Sequence, residues 1–225
     1  MSAIANRYAS VLRQVADAAD MAGRDPREVT VVAVTKTVGV VEVRQAVAAG
    51  MTDFGENRGQ EFTGKQALFP DMRWHFIGTL QTNKVKDVVG RAALIHSIDS
   101  LHLLRSVDRH ATEIGVVQDV LLQVNVSGET SKHGMSEEEA EDVVGTACDL
   151  PGVRVRGVMT MAPFTRPEAT RPVFRETAHL LGRLQSMHCD GVDLTELSMG
   201  MTNDFTVAIE EGATIVRIGR AIFGK

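Results

Sequence analysis

Over residues 4–21 the apolar side chains fall at Ile4, Tyr8, Val11, Leu12 and Val15, and Ala18 and Ala19 continue the same face. That spacing predicts an amphipathic helix, and Gly23 with Pro26 marks its end. Beyond it, short β-branched runs alternate with longer amphipathic stretches. The runs predict strands at 29–35, 52–54, 73–77, 93–97, 117–126, 153–159, 196–199 and 214–218. The stretches predict helices at 40–49, 58–69, 83–89, 101–114, 137–148, 168–187 and 204–211. Ser136 followed by Glu139 reads as a capping box, and Gly50 and Gly212 stand where helix C-caps belong.

Eight strands alternating with helices over this length fit an α/β fold of the (β/α)₈ TIM-barrel type. An open doubly wound sheet gives the same alternation and is the rival reading. No linker, low-complexity tract or internal repeat divides the chain, so one domain over 1–225 is expected.

Composition narrows the class. With 225 residues, 44% hydrophobic and 24% charged, the chain can bury one substantial core and is too rich in apolar residues for a disordered segment. No apolar run approaches the ~20 residues that cross a bilayer, and the first residues lack a secretory pattern, so no membrane association is expected. A net charge of -5 argues against a nucleic-acid partner. Cys148 and Cys189 form no C-x-x-C pair and read as reduced thiols of a cytoplasmic protein.

In a barrel the chemistry gathers where strands end. Lys36 closes the apolar run 30–35, where a low-dielectric surround would favour its neutral, nucleophilic form; an ion-paired lysine at a strand end is the plainer reading. The segment 214–224 reads as a strand, Gly219, then one helical turn, an arrangement suited to an anion or to an ordinary closing helix. Ser198, Met201 and Thr202 precede another helix start, where a simple N-cap explains Thr202 equally well. The run 59–65 copies the opening of a nucleotide P-loop, but Gln66 occupies the Mg²⁺-binding position, so a packed helix is expected. His75, between Trp74 and Phe76, reads as a structural strand residue, and the histidines show no metal-binding spacing.

These residues together resemble the YggS/PROSC family of pyridoxal phosphate homeostasis proteins. The resemblance is carried by 33–36, 54–57, 74–78 with 80–81 and 83–84, 131–134, 157–159, 197–201 and 216–224, in order along most of the chain. It implies the barrel of alanine racemases without their second β domain, with pyridoxal 5′-phosphate (PLP) as cofactor. By this resemblance Lys36 forms the internal aldimine and Arg217 lies against the pyridine nitrogen. The backbone of Gly219 and Arg220, with Thr202 and Ser198, holds the phosphate. Asn57 lines the cofactor ring, His75 and Ile77 sit beneath it, and Met159 and Met201 complete the set. Thr35 and Thr202 stand where serine is common, Arg58 where an aromatic is frequent, and Arg220 where a small hydroxylated residue is expected.

A guanidinium cannot accept the ring-nitrogen proton, which weakens PLP as an electron sink. Alanine racemases also take a second acid/base, a tyrosine, from their second domain, whereas the single tyrosine here is Tyr8 in the first helix. The resemblance therefore implies a protein that buffers PLP and delivers it to apo PLP-dependent enzymes, without efficient catalysis; a complete barrel with polar helix faces is compatible with a monomer. A PLP-dependent amino-acid racemase is the alternative, and a sugar-phosphate barrel using Lys36 as a Schiff-base lysine is the third reading.

Overall fold

Strands covered by helices must be apolar outward, and a barrel that closes must also fill its interior with inward side chains. The structure, a computed structural model, describes residues 2–126, 134–187 and 192–224. Its strands are β1 (Thr30–Val34), β2 (Asp53–Glu56), β3 (Arg73–Phe76), β4 (Leu94–Ile98), β5 (Gln118–Gln123), β6 (Val153–Met159), β7 (Val192–Met201) and β8 (Ile215–Ile218). All pair in parallel, in sequence order, and the sheet closes. The pairing of β1 with β8, from Thr30 opposite Ile215 to Ala33 opposite Ile218, makes it a barrel and removes the open-sheet alternative.

The helices are α1 (Ala3–Met21), α2 (Val40–Ala48), α3 (Gly59–Leu68), α4 (Val85–Val88), α5 (Leu101–Glu113), α6 (Glu137–Ala147), α7 (Arg171–Gln185), α8 (Phe205–Glu210) and α9 (Arg220–Phe223). Alternation along the strands divides the core. Ala33, Phe54, Trp74, Phe76 and Val216 pack outward in the main hydrophobic cluster, while Val32, Leu94, Leu121, Met159 and Ile215 form a separate, smaller one. Phe62 of α3 meets Phe76 of β3 edge to face at 5.8 Å, and Phe54 stacks on Trp74 at 5.3 Å. Each such buried side chain contributes roughly 1.5–3 kcal/mol.

Helix α1 and the turn that follows it fasten the last elements. Arg7 donates to the carbonyls of Ile222 at 2.7 Å and Phe223 at 3.3 Å, and Arg24 donates to those of Ile209 and Ala213, both at 2.9 Å. These carbonyls cluster at the C-terminal ends of α8 and α9, where helix acceptors lack internal partners.

The expected capping box is present, with Glu139 N–H donating to Ser136 Oγ. Elsewhere the pattern misplaced boundaries. The helix expected at 83–89 is a 3₁₀ turn (Thr82–Lys84) followed by the short α4, ended by Gly90 at φ 76°. The one expected at 168–187 opens with a 3₁₀ turn (Pro167–Thr170), and Pro172 then falls in the first turn of α7, where no N–H is required. Strand β7 begins four residues early because Asp193 and Thr195 alternate with Val192 and Leu194 and hide the run. Among the described residues no cysteine is free and Cys148 is disulfide-bonded, which corrects the expectation of reduced thiols; Cys189 lies outside the described residues. Ser131, Lys132 and His133 of the motif at 131–134 also lie outside them. No helix among the described residues is long and apolar enough to cross a membrane.

Candidate functional site

The C-terminal ends of the strands surround a cavity of about 480 Å³, within the usual size range of ligand sites, roughly 300–1,000 Å³. Lys36 after β1, Asn57 after β2, Ile77 after β3, Met201 and Thr202 at the end of β7, and Arg217, Gly219 and Arg220 from β8 to α9 all line it. The structure thus brings together eight of the eleven residues singled out from the sequence. Met159, Ser198 and His75 are not on its wall: Met159 fills the barrel interior, and Ser198 and His75 are buried in the strands.

Lys36 is exposed, so the desolvating surround expected from the apolar run before it is not there. Its position is set from behind. Thr35 is fully buried; its N–H donates to the Gly55 carbonyl at 2.9 Å and its hydroxyl to Glu56 Oε1 at 2.7 Å. Lys65 Nζ, buried on α3, donates to the Thr35 carbonyl at 2.8 Å and pairs with Glu56. The lysine of the P-loop-like run is therefore spent on an internal ion pair. On the other side of Lys36, Thr37 adopts φ 65°. It is the only non-glycine residue with positive φ among those described, at a cost on the order of 1–3 kcal/mol that surrounding structure must offset.

Asn57 presents an unsatisfied group. Its Oδ1 is buried without a hydrogen-bond partner, which native structures rarely tolerate unless a ligand or water supplies one. Gly78 holds this residue in place: a Cβ there would lie 2.1 Å from the Asn57 carbonyl oxygen, so only glycine lets the chain after β3 run so close.

Arg217 is 5% exposed and donates through Nη1 to Ser198 Oγ at 2.6 Å and through Nη2 to the Thr160 carbonyl at 2.8 Å. Burial pushes its pKa down to about 10, partly offset by Asp204, so it remains a cation at neutral pH. Asp204 is raised by its own burial, against the Met201 N–H it accepts at 2.7 Å and the charge of Arg217.

The rim adds Phe164, which the sequence reading passed over, and Asn203 and Asp204, which read from the sequence as N-cap residues. Asn203 ties its loop to Thr165, donating to the carbonyl at 2.8 Å, and Phe164, 80% exposed, carries the Arg220 guanidinium over its ring at 5.7 Å. Arg220 therefore has an aromatic partner where a hydroxyl was expected. Thr202 Oγ1 accepts the Ala221 N–H at 3.4 Å, joining the end of β7 to the start of α9. Gly219, which lines the cavity, also packs closely on β1. Its bare side faces Val34, where a Cβ would sit 3.3 Å from the carbonyl oxygen, so the glycine fits α9 closely against β1. Gly200, at φ 88°, bends β7 where its register with β8 shifts. No strand-end rule would have found Phe164, which lies in a loop five residues beyond β6 and touches the site only through folding. Asp204 was legible as the acidic cap position of α8.

The chain matches the family described as alanine racemase, N-terminal domain, over residues 8–225. It is 43% identical over 222 residues to the pyridoxal phosphate homeostasis protein of Aquifex aeolicus, covering 97% of this chain and 96% of that one. The protein of the same name from Pseudomonas aeruginosa is 42% identical over 228 residues, covering 100% and 96%. The structure of PipY from Synechococcus elongatus with PLP bound superimposes with a TM-score of 0.85 at 35% identity, covering 98% of this chain and 100% of that one.

Proposed function

The chain belongs to the family of pyridoxal phosphate homeostasis proteins, and from that premise we propose that its barrel binds PLP at Lys36 and keeps it available for apo-enzymes. The observation that carries this reading is the unpartnered, buried Oδ1 of Asn57 on the wall that also presents Lys36 and Arg217. An acceptor, a primary amine and a donor-only cation around one cavity suit a ligand with a hydroxyl, an aldehyde and a ring nitrogen. The donor set fits PLP. When bound, PLP supplies an aldehyde that condenses reversibly with an amine and a ring that withdraws electrons.

The residues divide the work. Lys36 provides the amine, exposed enough for another amine to reach and displace it. Arg217 offers hydrogen-bond donors and no acceptor, so it cannot take a proton from a ring nitrogen. We assign the phosphate to the Thr202 hydroxyl, the backbone at Gly219 and Arg220, and the Arg220 guanidinium. The tyrosine expected as second acid/base for racemisation does not stand on the described cavity wall: the single tyrosine, Tyr8, does not line it, and the pKa of its hydroxyl is raised by burial and by Asp53 at the start of β2. Losing such a group typically costs ~10²–10⁴-fold in rate. Holding and release is the reading that this arrangement supports.

The deciding experiment is an absorbance spectrum of the purified protein with and without added PLP, repeated on Lys36→Ala. Wild type should acquire a visible band that borohydride fixes to the protein, and the variant should remain folded without it. Fixation on Lys84 or Lys132 would move the site. Pyridoxal should bind at least ~10-fold more weakly than PLP, a loss of about 1.4 kcal/mol. Rapid racemisation of alanine by the wild type would overturn the holding role.

A further inference from the structure

Five buried polar side chains cross the barrel interior and end at the site. Asp53, at the start of β2, places Oδ1 3.1 Å from His75 Nε2. His75 Nδ1 lies 2.9 Å from His96 Nε2, and His96 Nδ1 lies 2.9 Å from Ser198 Oγ. Ser198 Oγ then accepts from Arg217 Nη1 at 2.6 Å. None of the five is more than 8% exposed. Neither histidine ligates anything or reaches the cavity, so the assigned chemistry leaves both without a role.

The two ends of this chain have fixed hydrogen-bonding sense. A carboxylate accepts only, and a guanidinium donates only. Burial acts to raise the Asp53 pKa, but His75, Thr52 and Arg73 outweigh it and hold the carboxyl below its ordinary range, so it is ionised at neutral pH. As a neutral ring, His75 carries its proton on Nε2 toward the carboxylate, and Nδ1 accepts. His96 then donates from Nε2 and accepts at Nδ1. It is a neutral ring, because burial above all, with the charge of Arg217 added, holds it well below the usual histidine value. Ser198 gives its one hydroxyl proton to His96 and offers a lone pair to Arg217. Every link runs in one sense, from Arg217 down to Asp53. With neutral rings, the opposite sense sets a His75 lone pair against the carboxylate. It also leaves the Ser198 proton without an acceptor among the described residues, where an unmet buried donor costs about 1–3 kcal/mol.

We propose that this chain is a positioning device: Asp53, at the far end of the barrel, fixes the tautomers of His75 and His96 and, through Ser198, seats the Arg217 guanidinium in the cavity. Arg217 has a second seat on the Thr160 carbonyl, which no tautomer can alter. The Ser198 seat is the adjustable one. Its consequence for cofactor binding rests on reading the cavity as a PLP site; the ordering of Arg217 does not.

The test is nitrogen-resolved NMR of the histidine rings and the Arg217 Nη–H groups in ligand-free protein, alongside a PLP titration. Wild type should show Nε2–H tautomers at both rings and slow rotation of the guanidinium. His96→Leu should average the Arg217 signals and weaken PLP binding by about tenfold or more. His96→Gln, whose amide can accept from Ser198 and donate to His75, should keep both properties, a rescue that loss of packing would not produce. Asp53→Asn, which can donate as well as accept, should give mixed tautomers at both rings. An Nδ1–H tautomer at either wild-type ring overturns the proposal, as do wild-type Arg217 signals in His96→Leu. Should His96→Leu fail to fold, a single unchanged tautomer at both rings in Asp53→Asn overturns it equally. If the NMR results follow expectation but PLP binds neither wild type nor variants, the cavity reading fails and the positioning chain stands.

Discussion

At the C-terminal end of the barrel the strands open on about 480 Å³, while at the N-terminal end Thr30, Arg73, Asp119, Arg156 and Glu196 surround only about 80 Å³. The charges at the N-terminal end are paired off. Arg154 grips Asp119 through contacts of 2.7 and 2.9 Å, Arg156 meets Asp193 at 2.7 Å, and Glu196 accepts the Thr214 hydroxyl at 2.7 Å. The open end instead keeps an exposed Lys36, an unpartnered Asn57 Oδ1 and a strained Thr37. Satisfied groups have nothing left to offer a ligand, whereas unsatisfied ones do. The two ends share eight strands, so the difference lies in what each strand places at its termini.

The contrast also holds for how each end is stabilised, and the largest effect should come from the pair beneath Lys36. Lys65 and Glu56 are buried, and the lysine also holds the Thr35 carbonyl. Replacing one member of such a pair leaves the other buried without its counter-charge, typically a loss of ~3–5 kcal/mol. Lys65→Met should lower the urea midpoint accordingly and weaken PLP binding, because the turn carrying Lys36 loses its anchor. A loss below ~1 kcal/mol would mean that Lys36 is held by its backbone alone.

Gly78→Ala tests the open end without touching a charge. Its Cβ would meet the Asn57 carbonyl oxygen at 2.1 Å and Asn57 Cα at 2.5 Å, and backbone cannot swing aside as a long side chain can. The expected cost is ~1–3 kcal/mol in stability. The cofactor affinity should fall with it, since Asn57 moves. Unchanged affinity at reduced stability would remove Asn57 from the binding wall.

Much of this architecture was readable from the chain. Strand β6 lies where its β-branched run put it, and Lys36, Asn57 and Thr202 were legible because each follows a strand end closely, whereas Ile77 came only from the family resemblance. What stayed hidden depends on distant neighbours. His96 and Ser198 meet across 102 positions, and only the closed barrel turns both inward. Lys65 could be read as part of a helix from the apolar spacing of 59–65, but its burial depends on Glu56 in the strand behind it. The packing of Gly219 on Val34 stayed hidden for the same reason, since the pairing of β1 with β8 is what brings them together.

Midway between the two ends, His96 should impose a pH dependence on stability. Its pKa in the folded protein lies well below the ordinary 6.5, so in the window below that value the unfolded chain binds more protons. Stability therefore rises with pH there and is lost as pH falls below about 6.5, with a slope of up to ~1.4 kcal/mol per pH unit. Urea midpoints between pH 8 and pH 5 should fall more steeply for wild type than for His96→Gln. Identical slopes would show that His96 does not titrate with unfolding.

The smallest effect is expected at the closed end. Arg154 and Asp119 form a well-aligned two-contact pair, but the arginine side chain is 48% exposed. The aspartate holds the Arg154 pKa above its ordinary value by hydrogen bonding and charge, yet solvent screens most of that attraction. Exposed pairs of this kind contribute ~0–1 kcal/mol. Arg154→Ala should fall within that range and leave PLP affinity unchanged, because Asp119 can rehydrate at the small polar cavity it borders. High salt should erase what little difference remains. A loss as large as that of Lys65→Met would mean that the closed end is held by its charges after all. A change in PLP affinity would show that the two ends communicate by a route outside the buried histidine chain.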